Sequence, residues 1–72
     1  MKEVEVKEPK FKIGDKVKPI KLVDYKGTKV SQYSEYYIIA AINGDTATLE
    51  TVENDKHYVW AIMKLNNLKK EN

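Results

Sequence analysis

A chain of 72 residues is one small domain, which buries only about 60% of the surface that its unfolded form exposes, so we expect modest stability. The absence of cysteine and the single histidine, His57, exclude a disulfide framework and a zinc site of cysteine and histidine ligands. The 13 basic residues, all lysine, against 11 acidic ones leave a net charge of +2 and no arginine to read phosphates or guanine edges bidentately. No metal or cofactor is predicted, and nucleic acid is a weak candidate partner.

The N-terminal ten residues, MKEVEVKEPK, contain too little apolar surface to pack by themselves and are predicted to be a linker or arm. They lack the hydrophobic segment of a signal peptide, and no apolar run in the chain reaches the roughly 18 residues that span a bilayer. We therefore expect no membrane partner. A chain without cysteine is compatible with the cytosol and with the envelope of a Gram-positive bacterium, so composition leaves the compartment open.

The first predicted strand follows a tight bend. Phe11, Ile13 and Val17 alternate around a turn at Gly14-Asp15, a pattern typical of a strand entered through a bend. Pro19 indicates that this strand lies at an edge of its sheet or bends there, because proline has no N–H for a central ladder.

A polar and aromatic segment from Leu22 to Ser34 separates the first two strands, with Gly27 as its expected turn residue. It is too long for a hairpin turn and too rich in tyrosine for a disordered linker, so we predict an ordered functional loop. The polar neighbours of Tyr25 and Tyr33 favour exposure of both rings.

Two hairpins are predicted in the second half of the chain. The first has the strongest turn signal, Asn43-Gly44-Asp45, which joins a strand at Glu35–Ile42 to a returning strand at Thr46–Glu53. In the returning strand, Ala47 and Leu49 share one face and are predicted to lie in the core.

The second hairpin turns at Asn54–Lys56 into a strand at His57–Met63. If Val59 and Ala61 line the interior, the alternation of a strand makes its other side chains face outward: Tyr58, Trp60 and Ile62. An outward Trp60 either packs under the long loop or forms the floor of a groove, and the sequence favours neither.

The end of the chain predicts a single turn of 3-10 helix in MKLNNL, followed by a short strand at Leu68–Lys70. No segment is long and periodic enough for an amphipathic α-helix. Five short strands, a long loop after the first and a 3-10 turn before the last predict an all-β fold, a small five-stranded SH3-like barrel.

Four segments, in this order, resemble the C-terminal cell-wall-binding domain of bacteriophage endolysins that act on Gram-positive bacteria, enterococcal or related. They are FKIGDKVKP, VDYKGTKV, YSEYYIIAAINGDTATL and VWAIMKLNNLKK. That domain is a bacterial SH3-like barrel that follows an amidase or endopeptidase domain. The resemblance divides the chain into a linker at 1–10, a cell-wall-binding domain at 11–70 and a tail at 71–72.

The resemblance implies a bacteriolytic protein made in the host cytoplasm and acting at the bacterial cell wall, where this domain binds peptidoglycan or an attached wall polysaccharide. The parent protein would be a peptidoglycan hydrolase such as an amidase. Some related enterococcal lysins also produce the free binding domain from an internal start and assemble with it. The resemblance therefore implies a homo-oligomer, a tetramer, or assembly with the full-length lysin. Met1 is equally consistent with such a start and with an artificial boundary.

Catalytic groups are not predicted in the chain itself. His57 begins a strand, and no serine lies in a nucleophile motif. Sugar hydrolysis needs two carboxyl groups about 5 to 9 Å apart across a cleft, for which so small a domain has little room. We therefore do not expect a catalytic pair among Glu35, Glu50, Glu53 and Asp55, and Glu50 and Glu53 are predicted to form the solvated face of a hairpin.

Binding residues are predicted where aromatic rings and hydrogen-bonding groups occur together. Ring faces stack on the C–H patches of sugars and peptides, while carboxylates and amides form hydrogen bonds. Adjacent strand positions point to opposite faces, so at most one of Tyr36 and Tyr37 can enter the core. The predicted ligand-binding residues are Asp24, Tyr25, Gln32, Tyr33, Glu35, Tyr36, Tyr58 and Trp60.

Two other classes of function stay open. An SH3-like barrel can bind proline-rich peptides in an aromatic groove. It can also bind RNA or DNA through lysines and stacking tyrosines, although Asp15 and Asp24 among those lysines disfavour this alternative. The lysines concerned are Lys16, Lys18, Lys21 and Lys26.

Overall fold

The computed structural model describes residues 11–71, so the predicted arm at 1–10 and the last residue of the predicted tail lie outside the described residues. Five strands are present: β1 (Lys16–Pro19), β2 (Tyr37–Asn43), β3 (Thr46–Glu53), β4 (Lys56–Lys64) and β5 (Leu68–Lys70). A 3-10 turn at Leu65–Asn67 precedes β5. The strands form one antiparallel sheet in the order β4-β3-β2-β1-β5, which is the small all-β SH3-like fold that the sequence predicts.

Both predicted hairpin turns are confirmed, and each is a two-residue turn. Gly44 has φ 64° between the paired residues Asn43 and Thr46. Asn54 and Asp55 have φ 53° and 66° between β3 and β4. Positive φ at these central positions matches the right-handed twist of the flanking strands, so each turn sets the register of its hairpin.

The core lies on one face of the sheet. Ala47 and Leu49 are buried, as the alternation of β3 predicts. Tyr37 is buried whereas Tyr36 is exposed, which confirms that only one of the two strand tyrosines enters the core. The buried apolar residues are Val17, Tyr37, Ile39, Ala47, Leu49, Met63 and Leu68.

The arrangement considered for β4, with both Val59 and Ala61 facing the interior, is only half realised, because β4 contains a bulge. Leu49 pairs with Ala61 and Glu50 pairs with Val59, so Trp60 is one extra residue on β4. A bulge reverses the alternation of side chains along a strand. Ala61 therefore packs against the core as predicted, while the side chain of Val59 is 67% exposed.

Of the two alternatives predicted for Pro19, the edge position is wrong, since β1 lies between β2 and β5, whereas the chain does bend directly after Pro19, at Ile20. Of the β1 residues, only Lys16 and Val17 pair with β2, whereas Val17, Lys18 and Pro19 pair with β5. Pro19 is tolerated there because it ends the strand and has no partner on β2. Residues 11–71 contain no helix that is long and apolar enough to cross a membrane.

Candidate functional site

The long loop, residues 20–36, contains a small hairpin of its own. Val23 and Lys29 form an isolated antiparallel bridge. Asp24 Oδ1 accepts the backbone N–H groups of Lys26 and Thr28, both at 2.9 Å, which closes the turn around Gly27 at φ 88°. The loop is ordered as predicted, and the carboxylate of Asp24 stabilises the turn.

The first half of the long loop is fastened to the end of the sheet. The side chain of Asn67 accepts the N–H of Lys21 at 2.9 Å and donates to the carbonyl oxygen of Lys21 at 2.8 Å. The backbone N–H of Tyr25 donates to the carbonyl oxygen of Ile62 at 2.8 Å. Asn67 thus pairs with the loop backbone as a neighbouring strand would, a role that its sequence context does not indicate.

The second half of the long loop is held by two aromatic residues. The hydroxyl of Tyr37 accepts the backbone N–H groups of Tyr33 at 2.8 Å and Ser34 at 2.9 Å. The ring of Trp60 stacks on Tyr37, and its Nε1 donates to the carbonyl oxygen of Ser31 at 3.0 Å. The two open alternatives for Trp60 are therefore both realised, because the ring packs under the loop and also lines a pocket.

This pocket, which we call the aromatic pocket, has a volume of about 260 Å³ and is lined by Tyr33, Thr51, Tyr58, Val59 and Trp60. Tyr33 is 61% exposed and Tyr58 is 50% exposed, so both rings are accessible. The bulge at Trp60 places consecutive β4 residues around one opening, which regular alternation would have sent to opposite faces.

A carboxylate lies at the rim of the aromatic pocket. The hydroxyl of Tyr33 donates to Oε2 of Glu53 at 2.8 Å. This hydrogen bond and the negative charge of Glu53 raise the pKa of Tyr33 above its ordinary value of 10.0, because the bond is to the protonated phenol. The contact joins the long loop to the end of the β3–β4 hairpin and places hydrogen-bonding groups beside the rings.

Thr51 is a lining residue of the aromatic pocket that sequence reasoning missed. It lies opposite Tyr58 in the β3–β4 register and is only 4% exposed. Its hydroxyl is buried and has no hydrogen-bond partner among residues 11–71. A buried hydroxyl in that state costs about 1 to 3 kcal/mol.

A second pocket, which we call the lysine pocket, has a volume of about 480 Å³ and lies between the first half of the long loop and the residues at the end of β4 and in the 3-10 turn. It shares no residue with the aromatic pocket. Its lining residues are Ile20, Lys21, Val23, Asp24, Tyr25, Gly27, Lys64, Asn66 and Asn67.

The predicted binding residues thus fall into separate places. Tyr33, Tyr58 and Trp60 line the aromatic pocket, whereas Asp24 and Tyr25 line the lysine pocket. The tyrosine at position 25 is exposed, as predicted.

The remaining three predicted residues line neither pocket. Gln32 donates to the carbonyl oxygen of Ser34 at 3.2 Å, and Glu35 is exposed. The ring of Tyr36 lies 4.4 Å from the ammonium of Lys16. The structure therefore does not join these three to the rings of the aromatic pocket.

None of the titratable residues considered for catalysis lines either pocket, and of these residues Glu53 reaches the rim of the aromatic pocket through its contact with Tyr33. His57 Nδ1 is 2.9 Å from Oε1 of Glu50, and the two form a cross-strand pair at the surface of the β3–β4 hairpin. Within residues 11–71, no group of three or more histidine and acidic side chains is placed to hold a metal ion.

No protein-family model, no curated protein and no solved structure matches this chain. The SH3-like fold and the two pockets are therefore the physical basis on which a function is argued. Of the two, the aromatic pocket gathers three of the predicted binding residues around one opening.

Proposed function

We propose that this chain is a non-catalytic binding module that directs a phage lysin, a peptidoglycan hydrolase, to the Gram-positive cell wall. It would bind peptidoglycan or the polysaccharide attached to it. The observation that carries the proposal is the aromatic pocket, in which Tyr33, Tyr58 and Trp60 surround one opening on an SH3-like fold. The resemblance of four chain segments to wall-binding domains of endolysins supports the same function.

The chemistry of the aromatic pocket suits a sugar or a short peptide side chain. Aromatic faces pack on the C–H surface of a sugar ring, and the carboxylate of Glu53 at the rim accepts hydrogen bonds from hydroxyl, amide or ammonium groups. A volume of about 260 Å³ holds one such unit of a polymer. The ligand is therefore expected to bind through one repeating unit at a time.

The pocket is largely preorganised. Tyr37 and Trp60 hold residues 31–34 of the long loop through three hydrogen bonds, and Tyr33 is fixed at its hydroxyl by Glu53. A site whose side chains are already ordered loses less conformational entropy when it binds. A modest contact area is thereby able to give specific recognition.

Assembly into a tetramer or with the full-length lysin belongs to the same proposal. A cell wall presents many copies of the same ligand. Once one site of an oligomer has bound, the ligands nearby have a high effective concentration for its other sites, which raises the overall affinity. Light scattering of the purified chain is expected to give a mass several times 8.3 kDa. A mass of one chain at all concentrations would remove the homo-oligomer from the proposal.

The test uses the fluorescently tagged 72-residue chain and purified walls from a panel of Gram-positive cells, before and after chemical removal of wall polysaccharide. Tyr58→Ala is expected to weaken wall binding about tenfold or more, since exposed aromatic rings dominate such contacts. The control is Tyr36→Ala, which removes a tyrosine that is 39% exposed and outside both pockets.

Each result has a definite meaning. Binding that is lost with the polysaccharide identifies that polymer as ligand, and binding that persists identifies the peptidoglycan. Failure of the unmodified chain to bind any wall would contradict the proposal, as would equal losses in both tyrosine variants.

A proline-rich peptide is the second candidate ligand. The aromatic pocket lies between the long loop and the β3–β4 hairpin, and grooves of tyrosine and tryptophan on SH3-like folds receive extended polyproline helices. A proline-rich peptide library that binds the chain, with binding lost in Tyr58→Ala and no binding to walls, would favour this function over the first.

A further inference from the structure

The lysine pocket is lined by two lysines from different parts of the chain. Lys21 belongs to the long loop and Lys64 ends β4, and both side chains are exposed. Neither forms an ion pair with a carboxylate of residues 11–71. The fold therefore places two cationic hydrogen-bond donors around one concave surface.

The acidic side chain among the lining residues is already engaged. Asp24 accepts two backbone N–H groups of its own turn, which partly offset its charge and hold its carboxylate in the loop. A further cation, Lys26, follows Tyr25 and places its ammonium 5.6 Å from the centroid of that ring. The balance of charge at the lysine pocket is positive.

The wall of the lysine pocket also has an apolar part and a rigid base. Ile20, Val23 and Tyr25 contribute carbon surface. Asn67 is hydrogen-bonded to both backbone groups of Lys21, and Tyr25 is fastened to Ile62. The cationic groups are thus mounted on backbone that is tied to the sheet on both sides of the opening.

We propose that the lysine pocket is a second ligand site, which binds a phosphate group carried by a polyol or a sugar. The ammonium groups of Lys21 and Lys64 would donate to the phosphate oxygens, with the exposed amide of Asn66 beside them. The carbon chain of the polyol would pack on Ile20 and Tyr25. If the proposed function holds, the natural ligand is a phosphodiester repeat of an anionic wall polymer.

Nucleic acid also carries phosphodiesters, but the arrangement favours a polyol or sugar phosphate. Two of the lysines that would follow a nucleic-acid backbone are engaged elsewhere, Lys18 with Glu71 at 3.6 Å and Lys16 over the ring of Tyr36. Three of the rings that would stack on bases, Tyr33, Tyr58 and Trp60, line the other pocket, and the lysine pocket offers Tyr25 alone. The net charge of +2 and the lack of arginine agree with this preference.

The first experiment titrates the full 72-residue chain with a poly(glycerol phosphate) oligomer and follows backbone amide resonances by NMR. Shifts are expected at Lys21, Lys64 and Asn66. The double variant Lys21→Gln/Lys64→Gln should bind about tenfold or more weakly, because charge-assisted hydrogen bonds to phosphate are lost. The control Lys12→Gln/Lys56→Gln removes the same charge at exposed positions that line neither pocket, and should bind as the unmodified chain does.

Two further probes identify the source of the phosphate. Inorganic phosphate is expected to bind more weakly than the oligomer because it cannot use the carbon surface. A single-stranded oligonucleotide is expected to bind more weakly too. Equal losses of oligomer affinity in both double variants would mean that net charge alone drives the interaction, and would overturn the site. Tighter binding of the oligonucleotide through Lys21 and Lys64 would identify nucleic acid, and not a polyol phosphate, as the ligand.

A parallel assay with walls separates this inference from the proposed function. Hydrofluoric acid cleaves phosphodiesters, so walls treated with it should lose binding to the unmodified chain, and the Lys21→Gln/Lys64→Gln chain should bind untreated walls weakly. Undiminished binding in both cases would overturn the lysine pocket as a wall site and leave the binding module standing. Binding of the poly(glycerol phosphate) oligomer without binding to any wall would keep the lysine pocket as a phosphate site and overturn the proposed wall-binding function.

Discussion

The rings of Tyr37 and Trp60 lie parallel, with centroids 3.8 Å apart and 4° between their planes. Tyr37 is buried, and its hydroxyl holds two backbone N–H groups of the long loop. Trp60 adds a hydrogen bond to Ser31 and lines the aromatic pocket. One stacked pair therefore connects the core, the loop and the proposed binding surface.

Truncation of Trp60 should lower stability as well as binding. Trp60→Ala removes the stacked ring and is expected to decrease the free energy of unfolding by about 2 to 4 kcal/mol. Trp60→Phe keeps a ring for stacking and loses the hydrogen bond to Ser31, with a decrease of about 1 kcal/mol. Urea denaturation followed by circular dichroism measures both. An unchanged midpoint for Trp60→Ala would mean that the ring contributes only to the surface.

Replacement of the buried hydroxyl of Thr51 should stabilise the protein. Thr51→Val keeps the shape of the side chain and removes a hydroxyl that has no partner among the described residues, so the free energy of unfolding should rise by about 0.5 to 2 kcal/mol. Thr51→Ser is the matched comparison, because it keeps the hydroxyl and loses the methyl group. Thermal unfolding of the two variants should move in opposite directions; a destabilised Thr51→Val would show that the hydroxyl is satisfied in solution.

Tyr33 should ionise above the ordinary tyrosine pKa of 10.0, because its hydroxyl donates to Glu53 and lies beside that negative charge. Its folded-state pKa is raised, so the stabilisation from the contact is present below the unfolded pKa and is lost as the pH rises through the folded pKa. A ¹³C NMR titration of the tyrosine Cζ resonances measures this. Glu53→Gln should return the pKa of Tyr33 toward its ordinary value, and an unchanged titration would contradict the hydrogen bond.

Asp15 should remain ionised at lower pH than an ordinary aspartate. The backbone N–H of Lys12 donates to its carboxylate at 2.8 Å and is the main cause that lowers its pKa below 3.8, with Lys70 at 3.5 Å contributing less. The stabilisation is thus present above the unfolded pKa and lost as the pH falls through the folded one. In an NMR titration of the carboxyl group, the pKa of Asp15 should stay lowered for the most part in the Lys70→Gln variant. A return of this pKa to its ordinary value would show that Lys70 is the main cause.

Asn67 should anchor the first half of the long loop. Asn67→Ala removes both side-chain hydrogen bonds to the backbone of Lys21 and is expected to decrease the free energy of unfolding by about 1 to 3 kcal/mol. Hydrogen exchange of the Lys21 backbone amide should be faster in the Asn67→Ala variant than in the unmodified chain. Asn66→Ala changes the exposed neighbouring asparagine and should leave exchange at Lys21 slow; equal exchange in both variants would contradict the anchor.

The parts of the fold that were predictable depend on short-range signals. The turns at Gly44 and at Asn54–Asp55 follow from residues that tolerate positive φ, and the buried face of β3 follows from strict alternation. The split between Tyr36 and Tyr37 has the same origin. Each of these features is decided by residues within a few positions of one another in the chain.

The candidate site depended on tertiary structure. The bulge at Trp60 reverses the side-chain alternation of β4, which is why Val59 lies at the surface and lines the aromatic pocket. The pairing of β1 with both β2 and β5 likewise places Pro19 within the sheet order and not at its edge. A period-two pattern cannot show where one extra residue enters a strand, because either phase fits the apolar residues around it.

The chain's composition and turn chemistry thus determined an all-β domain whose tyrosines are partly exposed. Which of those tyrosines line the same pocket was decided only by the tertiary structure. Trp60 reaches Ser31 across 29 positions of sequence, and Asn67 reaches Lys21 across 46. Contacts at such separations are set by the packing of the sheet against the long loop, so the division into an aromatic pocket and a lysine pocket exists only in three dimensions.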